Sequence, residues 1–481
     1  MQQQPFAFQI ITVQTVTFQT VTFQTGTIPT GPSGMTDTLD QSPSRDRAEA
    51  LVRAALRAGA DAADAVAVRG ASLSVGVRLG KLEDTQRAEG DDFGLRVFIG
   101  RRHASVSANA FTDASELAER AVAMARVAPE DPFAGLAPAD RLAQAIPDLD
   151  LLDRTPVDAA RLTALALEAE DAARAVPGIT NSGGASASWS VGGLVLVTSH
   201  GFTGAYLVSR HSISATAIAG DGTGMERDWE SSSKTHAGDL EPAATIGRKA
   251  GERAINRLGP RKVPSGTATV IYDSRASGGL VGHLAGAING ASIARKTSFL
   301  KDRLGEPVFA KGIRISDDPA RQRGLGSRPF DGEGLAGGAL DVIANGVLTT
   351  WLLDSATARE LGLASNGRAA RGVGSPHPAS TNLTLHAGTT SRADMLASVK
   401  SGLYVTDMIG SGVNGVTGDY SRGCSGFWIE NGELTFPVSE ITIAGNLKDM
   451  FGRLVPADDL VYRYGTNAPT VMIEGLTIAG S

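Results

Sequence analysis

ASASWSVGGLVLVTSHGFTGAYLVSRHSISATAI, residues 185–218, decides the fold class. Within it, Ala185 to Val191, Leu194 to Ser199, Gly201 to Arg210 and Ser212 to Ile218 either alternate apolar with polar residues or run apolar, between turns that contain glycine. A two-residue period bounded by turn signals suits antiparallel strands, because successive side chains point to opposite faces. The stretch therefore predicts a meander. On either side the period becomes helical, over about Val157 to Ala175, ended by Pro177-Gly178, and over about Ala243 to Leu258. Helix, meander and helix together predict a middle domain over 156–262.

Upstream, Ala48, Leu51, Val52, Ala55 and Leu56 fall at helical spacing between Arg45 and Ala58, and Gly59 is a stop. Ala65 to Val68, Ser72 to Val77 and Phe93 to Ile99 read as strands, the last turning at Gly100-Arg101-Arg102 and returning through Ala104 to Ser107. Asp113 reads as the N-cap of a helix reaching about Ala128, with Glu116 as its capping-box partner. This predicts an N-terminal α/β domain over 44–128, joined by a connection over 129–155. Downstream, Gly259-Pro260 and Pro264-Ser265-Gly266 mark a boundary. Thr267 to Tyr272 then reads as a strand, about Ser277 to Gly290 as a helix, and the remainder of 263–481 as a β-rich domain. The fold class is α+β, with an N-terminal region of helices and antiparallel strands followed by this β-rich C-terminal domain.

Residues 1–43 read as a low-complexity, disordered extension. Thr15-Val16-Thr17-Phe18-Gln19 recurs as Thr20-Val21-Thr22-Phe23-Gln24, an alternation suited to an edge strand or to self-association. The segment lacks the features of a secretory signal or a transit peptide. The expected natural start is Met35.

Charge and cysteine usage narrow the function. A formal net charge of −6 and a pI near 5.7 give no basic footprint, so no direct nucleic-acid partner is expected. The single cysteine, Cys424, excludes an internal disulfide and a multi-cysteine metal cluster within one chain, and it fits a reducing, cytoplasmic compartment. No run of about 18 apolar residues is present, so no membrane span is expected.

Seven histidines are available, and none forms a ligand pair. A helical zinc site needs two imidazoles about one turn apart and a glutamate to activate the bound water. His283 lies on a helix among Leu280, Leu284 and Ile288, where a lone histidine is usually structural. Cys424, between Gly423 and Ser425, has no evident partner. Gly410-Ser411-Gly412-Val413-Asn414-Gly415 fits a G-x-G-x-x-G pattern after Leu403-Tyr404-Val405. However, the turn-forming residues from Val416 to Gly426 cannot open the helix that a pyrophosphate would need. The run reads instead as a glycine-rich loop that packs backbone closely or offers amides to a peptide. Asp221, Glu226 and Asp228 offer cation ligands without the spacing of an EF-hand.

Several segments together resemble the TldD/PmbA (TldE) family of metallopeptidase-related "modulator of DNA gyrase" proteins. Gly80-Lys81-Leu82-Glu83-Asp84 and Gly94-Leu95-Arg96-Val97-Phe98 resemble its N-terminal domain, and Gly222-Thr223-Gly224-Met225-Glu226 fits its middle. Gly418-Asp419-Tyr420-Ser421-Arg422-Gly423, Gly426-Phe427-Trp428-Ile429-Glu430-Asn431-Gly432 and Ile443-Ala444-Gly445-Asn446-Leu447 resemble the TldE/PmbA branch. In the TldD branch the first helix of the last domain carries His-Glu-x-x-x-His, and a later cysteine completes the metal site. Alignment on Thr297-Ser298 puts Val281 and Gly286 at the two histidine positions and Gly282 at the glutamate, and 452–470 contains no cysteine.

The resemblance implies a heterodimer in which a TldD-like subunit supplies zinc and the general base, while this chain carries no metal and no catalytic residue. It also implies action on unfolded or short peptides: proteolysis, microcin maturation and antitoxin turnover. Gly410, Gly412, Asn414, Gly415, Asp419, Tyr420, Ser421, Arg422 and Gly423 are the expected peptide-channel residues, by strand addition to a sheet edge. Two other readings stay open. One is a stand-alone, metal-free peptide-binding or adaptor protein, possibly homodimeric. The other is a hydrolase built from Ser375-Pro376-His377 and Asp407.

Overall fold

The computed structural model describes residues 39–109 and 112–480. The repeat at 15–24, Met35 and most of the expected extension lie outside the described residues. β1 (Ala62–Arg78), β2 (Lys81–Ile99) and β3 (Arg102–Asn109) run antiparallel. β4 (Ile179–Thr198), β5 (Thr203–Ala219) and β6 (Glu226–Lys234) extend the same sheet, in the order β3-β2-β1-β4-β5-β6. The segments expected as separate N-terminal and middle domains thus share one sheet, because β1 pairs with β4 from Asp64 to Val77.

The four short strands expected over 185–218 are parts of two long ones, and the two expected over 65–77 are one. Glycines that read as turns lie inside strands. Gly70 pairs with Gly90 on one side and with Gly192 on the other, so three glycines stand side by side where no side chain projects. At Gly193 a Cβ would lie 2.4 Å from Gln41 Nε2 and 2.7 Å from Leu207 Cδ2, so close packing rather than a turn requires the glycine there.

α1 (Ser42–Arg57), α2 (Ala114–Val127), α3 (Ala159–Arg174) and α4 (Ala243–Asn256) cover one face of this sheet. α1 and α2 bury Leu51, Ala55, Leu117 and Ala121 against Ala65 and Leu95, while α3 and α4 bury Leu162, Ala166, Ile246 and Ala250 against Val75 and Ile213. Ala65 and Val75 are an even number of residues apart on β1, so both helix pairs share a face. Asp113 caps α2 as expected, its side chain accepting from the amides of Ser115 and Glu116. The opposite face presents Val66, Leu194 and Leu196, which pack with Phe202 against Phe330 and Leu335 of the C-terminal domain.

The C-terminal domain begins with β7 (Gly266–Tyr272), α5 (Ser274–Ala287) and α6 (Gly290–Ala294). β8 (Ile315–Asp317), β9 (Leu340–Ala344), β10 (Val347–Leu348) and α7 (Ser355–Glu360) follow. Next come the short ladder β11 (Ala369–Ala370) and β12 (His377–Pro378), then β13 (Leu383–Leu385) and α8 (Arg392–Ala397). β14 (Ser401–Ile409), β15 (Asp419–Glu430), β16 (Glu433–Asn446), α9 (Leu447–Arg453), β17 (Val455–Pro456), β18 (Thr466–Asn467) and β19 (Val471–Ala479) complete it. The order β16-β15-β14-β7-β19 closes into a barrel, because Thr442, Ile443 and Ala444 of β16 also pair with Ala479, Ile478 and Thr477. A second sheet has the order β10-β9-β8-β13-β18. Among the described residues no helix is long and apolar enough to cross a membrane.

A buried ionic junction joins the two parts of the molecule. The Asp64 carboxylate, 1% exposed, receives Arg96 Nη2 at 2.6 Å and Arg371 Nη2 at 2.7 Å. Nearby, Glu333 accepts the Ser355 amide at 2.7 Å, and burial together with the Asp331 charge pushes its carboxyl up to about 7.

Candidate functional site

α5 starts at the end of β7, where Asp273 caps it by accepting from the Arg275 amide at 3.0 Å and also accepts the Tyr404 hydroxyl at 2.6 Å. Ser277, Leu280, Val281, Leu284 and Ala287 face the core. The opposite side of the helix is almost without side chains. Gly282 and Gly286 are exposed, and a Cβ on either would meet nothing within 4 Å. Val281, placed by the alignment at a ligand position, is 3% exposed and packs in the core, so it does not share a face with the two glycines.

β15 runs past this helix, and side-chain alternation turns Tyr420, Arg422 and Cys424 to one face. Tyr420 meets the His283 ring edge to face at 5.9 Å, and a Cβ on Gly279 would lie 3.7 Å from Arg422 Nη1. The structure therefore brings the degenerate helix together with Tyr420 and Arg422 of the expected channel. Three buried polar atoms here, Tyr272 Oη, His283 Nε2 and Arg422 Nε, make no hydrogen bond of good geometry, although Tyr272 and Arg422 both lie close enough to the Tyr420 hydroxyl to act on it. Burial first, and Arg422 second, lower the His283 imidazolium to about 4, so the ring is neutral at pH 7. Burial pushes the Tyr420 hydroxyl up to about 12, and the Tyr272 hydroxyl lies well above its ordinary range for the same reason.

These residues do not fit a zinc ion. α5 carries a single histidine, His283, and the Arg422 cation stands beside it. Burial, with the Asp407 charge adding to it, pushes the Cys424 thiol up to about 12, so the side chain is a neutral thiol at pH 7. Among the described residues no three His, Cys, Asp or Glu side chains gather closely enough to hold a metal. Asp228 and Glu226, considered above as cation ligands, face guanidinium groups instead. Arg275 lies 3.2 Å and Arg257 3.4 Å from Asp228, and Arg257 lies 3.5 Å from Glu226.

The glycine-rich loop agrees with one expectation and corrects another. It opens no helix. It also leaves no free edge for a peptide at Asp419 to Gly423, because β16 pairs along one side and the loop itself occupies the other. The Ser421 amide donates to Gly412 O at 2.7 Å and the Asn414 amide to Asp419 O at 2.9 Å. The Asn414 side chain accepts from the Val416 and Thr417 amides, and Gly415 O accepts from Phe299 N at 2.9 Å. The Asp419 carboxylate binds Thr417 and Asn446. A Cβ on Gly412 would stand 2.0 Å from Ser421 O, which explains the glycine. Gly410 ends β14 at φ 77°, and Gly423 pairs with Ile409. The alternative hydrolase set is not assembled: Ser375 bonds to Ser105 at 3.0 Å, while Asp407 faces Arg257 at 3.8 Å. Sequence reasoning passed over Tyr272, since a tyrosine ending an apolar strand reads as core.

Comparison with known proteins agrees with this architecture. Residues 63–125, 153–258 and 265–480 match the models for PmbA/TldA metallopeptidase domain 1, central domain and C-terminal domain. The chain is similar to metalloprotease PmbA of Escherichia coli O157:H7, with 38% identity over 87% of this chain and 92% of the relative. It is also similar to a PmbA homolog of Haemophilus influenzae, with 37% identity over 89% and 94%. A candidate modulator of DNA gyrase from Bacteroides thetaiotaomicron superposes with a TM-score of 0.84 at 27% identity, over 92% of this chain and 99% of the other. TldE from Thermococcus kodakarensis shares the fold with a TM-score of 0.80 at 19% identity, over 90% and 100%.

Proposed function

Because this chain belongs to the PmbA/TldD metallopeptidase family, we propose that it is the non-catalytic, TldE-like subunit of a cytoplasmic heterodimeric peptidase acting on unfolded or short peptides. The zinc and the general base belong to a TldD-like partner. The observation that carries this reading is the exposed face of α5, where Gly282 and Gly286 stand at the positions of the family's glutamate and second histidine and His283 lies beside a cation. A metal with so few protein ligands is held weakly and cannot position water.

The contribution of this chain is to hold the substrate. A helix face without side chains lets an extended main chain approach closely. Arg422, which makes no ion pair among the described residues and whose Nε is buried without an acceptor, offers its guanidinium to a peptide carbonyl or carboxylate. This replaces strand addition at Asp419 to Gly423 as the mode of binding.

The test is co-expression with a TldD-like protein, followed by metal analysis and peptide cleavage for each chain alone and for the pair. Expected are zinc in the partner, cleavage by the pair, and peptide crosslinks on both chains. Stoichiometric, tightly held zinc in this chain alone, or chelator-sensitive cleavage by it alone, overturns the reading.

A further inference from the structure

Ser316 pairs with Asp341 of β9 on one side and with Thr384 of β13 on the other, at the centre of the second sheet. Arg314 and Asp318 flank it two residues away, and His386 lies two beyond Thr384, so alternation brings these side chains to one face while Ile315, Leu383 and Leu385 pack into the core behind them. That face forms the floor of a cavity of about 440 Å³, a size that suits a small organic molecule. Arg321 and Tyr462 complete the wall, with the guanidinium carbon 3.3 Å from the centre of the tyrosine ring. None of the lining residues belongs to α5, β14, β15 or the loop between them.

The charges in the cavity are distributed unevenly. Arg314 and Asp341 neutralise each other at 2.8 Å. Ser316 Oγ and His386 Nε2 lie 2.8 Å apart, and burial and then Arg314 hold the imidazole below its ordinary value, which leaves it uncharged at neutral pH. Arg321 and Asp318 remain. They are close enough to feel each other's charge, yet neither forms an ion pair among the described residues. Tyr462 lies against one face of the guanidinium and its hydroxyl also acts on the group, so the N–H groups turned away from Tyr462 are the part left for a carboxylate. Asp318 accepts the Ala320 amide at 2.9 Å through one oxygen and keeps the other. A phosphate dianion would meet two carboxylates here. A ligand bearing both signs would meet a partner for each.

We propose that this cavity is a second ligand site, for a small zwitterion with a free carboxylate and a free ammonium group, the chemistry shared by an amino acid and a dipeptide. The carboxylate lies on Arg321 and Ser316, and the ammonium on Asp318. The inference does not depend on the peptide-holding role of α5 and Arg422.

Calorimetric titration of the full chain with leucine, Ala-Ala, N-acetyl-Ala-Ala, Ala-Ala amide and inorganic phosphate tests it. Leucine or Ala-Ala binds, and which of them binds identifies the source. Blocking either end weakens binding about tenfold, as loss of one charge-assisted contact should. Arg321→Gln and Asp318→Asn each weaken it by a similar factor, with unfolding curves recorded to verify folding. If Arg321→Gln fails to fold, Asp318→Asn and the blocked ligands still decide. Equal binding of blocked and free ligands, displacement by phosphate, no binding of either zwitterion, or unchanged affinity in the folded variants overturns the proposal.

Discussion

Replacing Asp64 with alanine should loosen the junction between the N-terminal sheet and the C-terminal domain. The carboxylate is 1% exposed and receives Arg96 at 2.6 and 3.2 Å and Arg371 at 2.7 Å, so its loss strands two buried guanidinium groups. Arg371 Nη1 already lacks a partner, which means no surplus acceptor stands by. Breaking a buried pair in this way costs about 3–5 kcal/mol. With a urea slope of about 3 kcal/mol per molar, the unfolding midpoint, followed by tryptophan fluorescence, should fall by roughly 1–1.7 M. Arg371→Met in the Asp64→Ala background should recover part of that loss by removing one stranded charge. The sign with pH follows from the wild-type carboxyl. Burial raises it, but Arg371 and Arg96 together outweigh burial and hold it below its usual value. Its stabilisation is therefore present above the unfolded value and disappears as pH falls through the folded one. A midpoint shift below about 0.3 M for Asp64→Ala, or a double variant no more stable than the single, would refute the reasoning.

Glu333→Gln keeps an oxygen for the Ser355 amide and removes a carboxyl whose folded value is raised to about 7. The wild-type contribution is full at acid pH, below the unfolded carboxyl value, and is lost as pH rises through about 7, so the variant should gain stability at pH 8 and little at pH 5 in thermal melts. Gly412→Val places a Cβ 2.0 Å from Ser421 O and should destabilise by about 1–3 kcal/mol, with faster hydrogen exchange at the Ser421 amide. Arg422→Gln breaks no ion pair among the described residues, so thermal stability should hardly change, while peptide crosslinking to this chain in the assembled pair should drop about tenfold.

Periodicity made α1 to α5 legible, because one face of each is buried along its length, as Leu51 and Ala55 are in α1 and Ile246 and Ala250 in α4; α6 to α9 are too short to show a period and read as strands and loops. The positions of β1 to β5 and β7 were legible too, but their lengths were not, and β6, whose Glu226 and Asp228 read as cation ligands, was not seen as a strand. Gly70, Gly90 and Gly192 carry the turn signal, and only the lateral pairing of three strands converts them into sheet interior. The closing of the barrel through Ile443 and Ile478 was equally hidden, since no local pattern specifies which edges meet. At the candidate site the motif residues Tyr420 and Arg422 were visible, as was the lack of ligands on α5. The sequence does not show that Asp419 to Gly423 have both edges occupied, nor that His283 meets Tyr420, because both depend on contacts more than a hundred residues apart or on how the loop folds back. The Arg321 and Asp318 cavity was missed for a similar reason. Its residues come from four separate stretches, around 314–321, 339–341, 382–386 and Tyr462, which no local pattern links.

The placing of β1 between β2 and β4 has a practical consequence for anyone dissecting this molecule. A proteolytic nick anywhere in 129–155 would sever the chain without releasing two bodies, since one fragment would still be laced to the other along fourteen residue pairs from Asp64 to Val77. Expressing 63–125 or 153–258 alone would expose a long unpaired backbone edge at the cut and invite aggregation. Reconstitution from co-expressed fragments is the workable route.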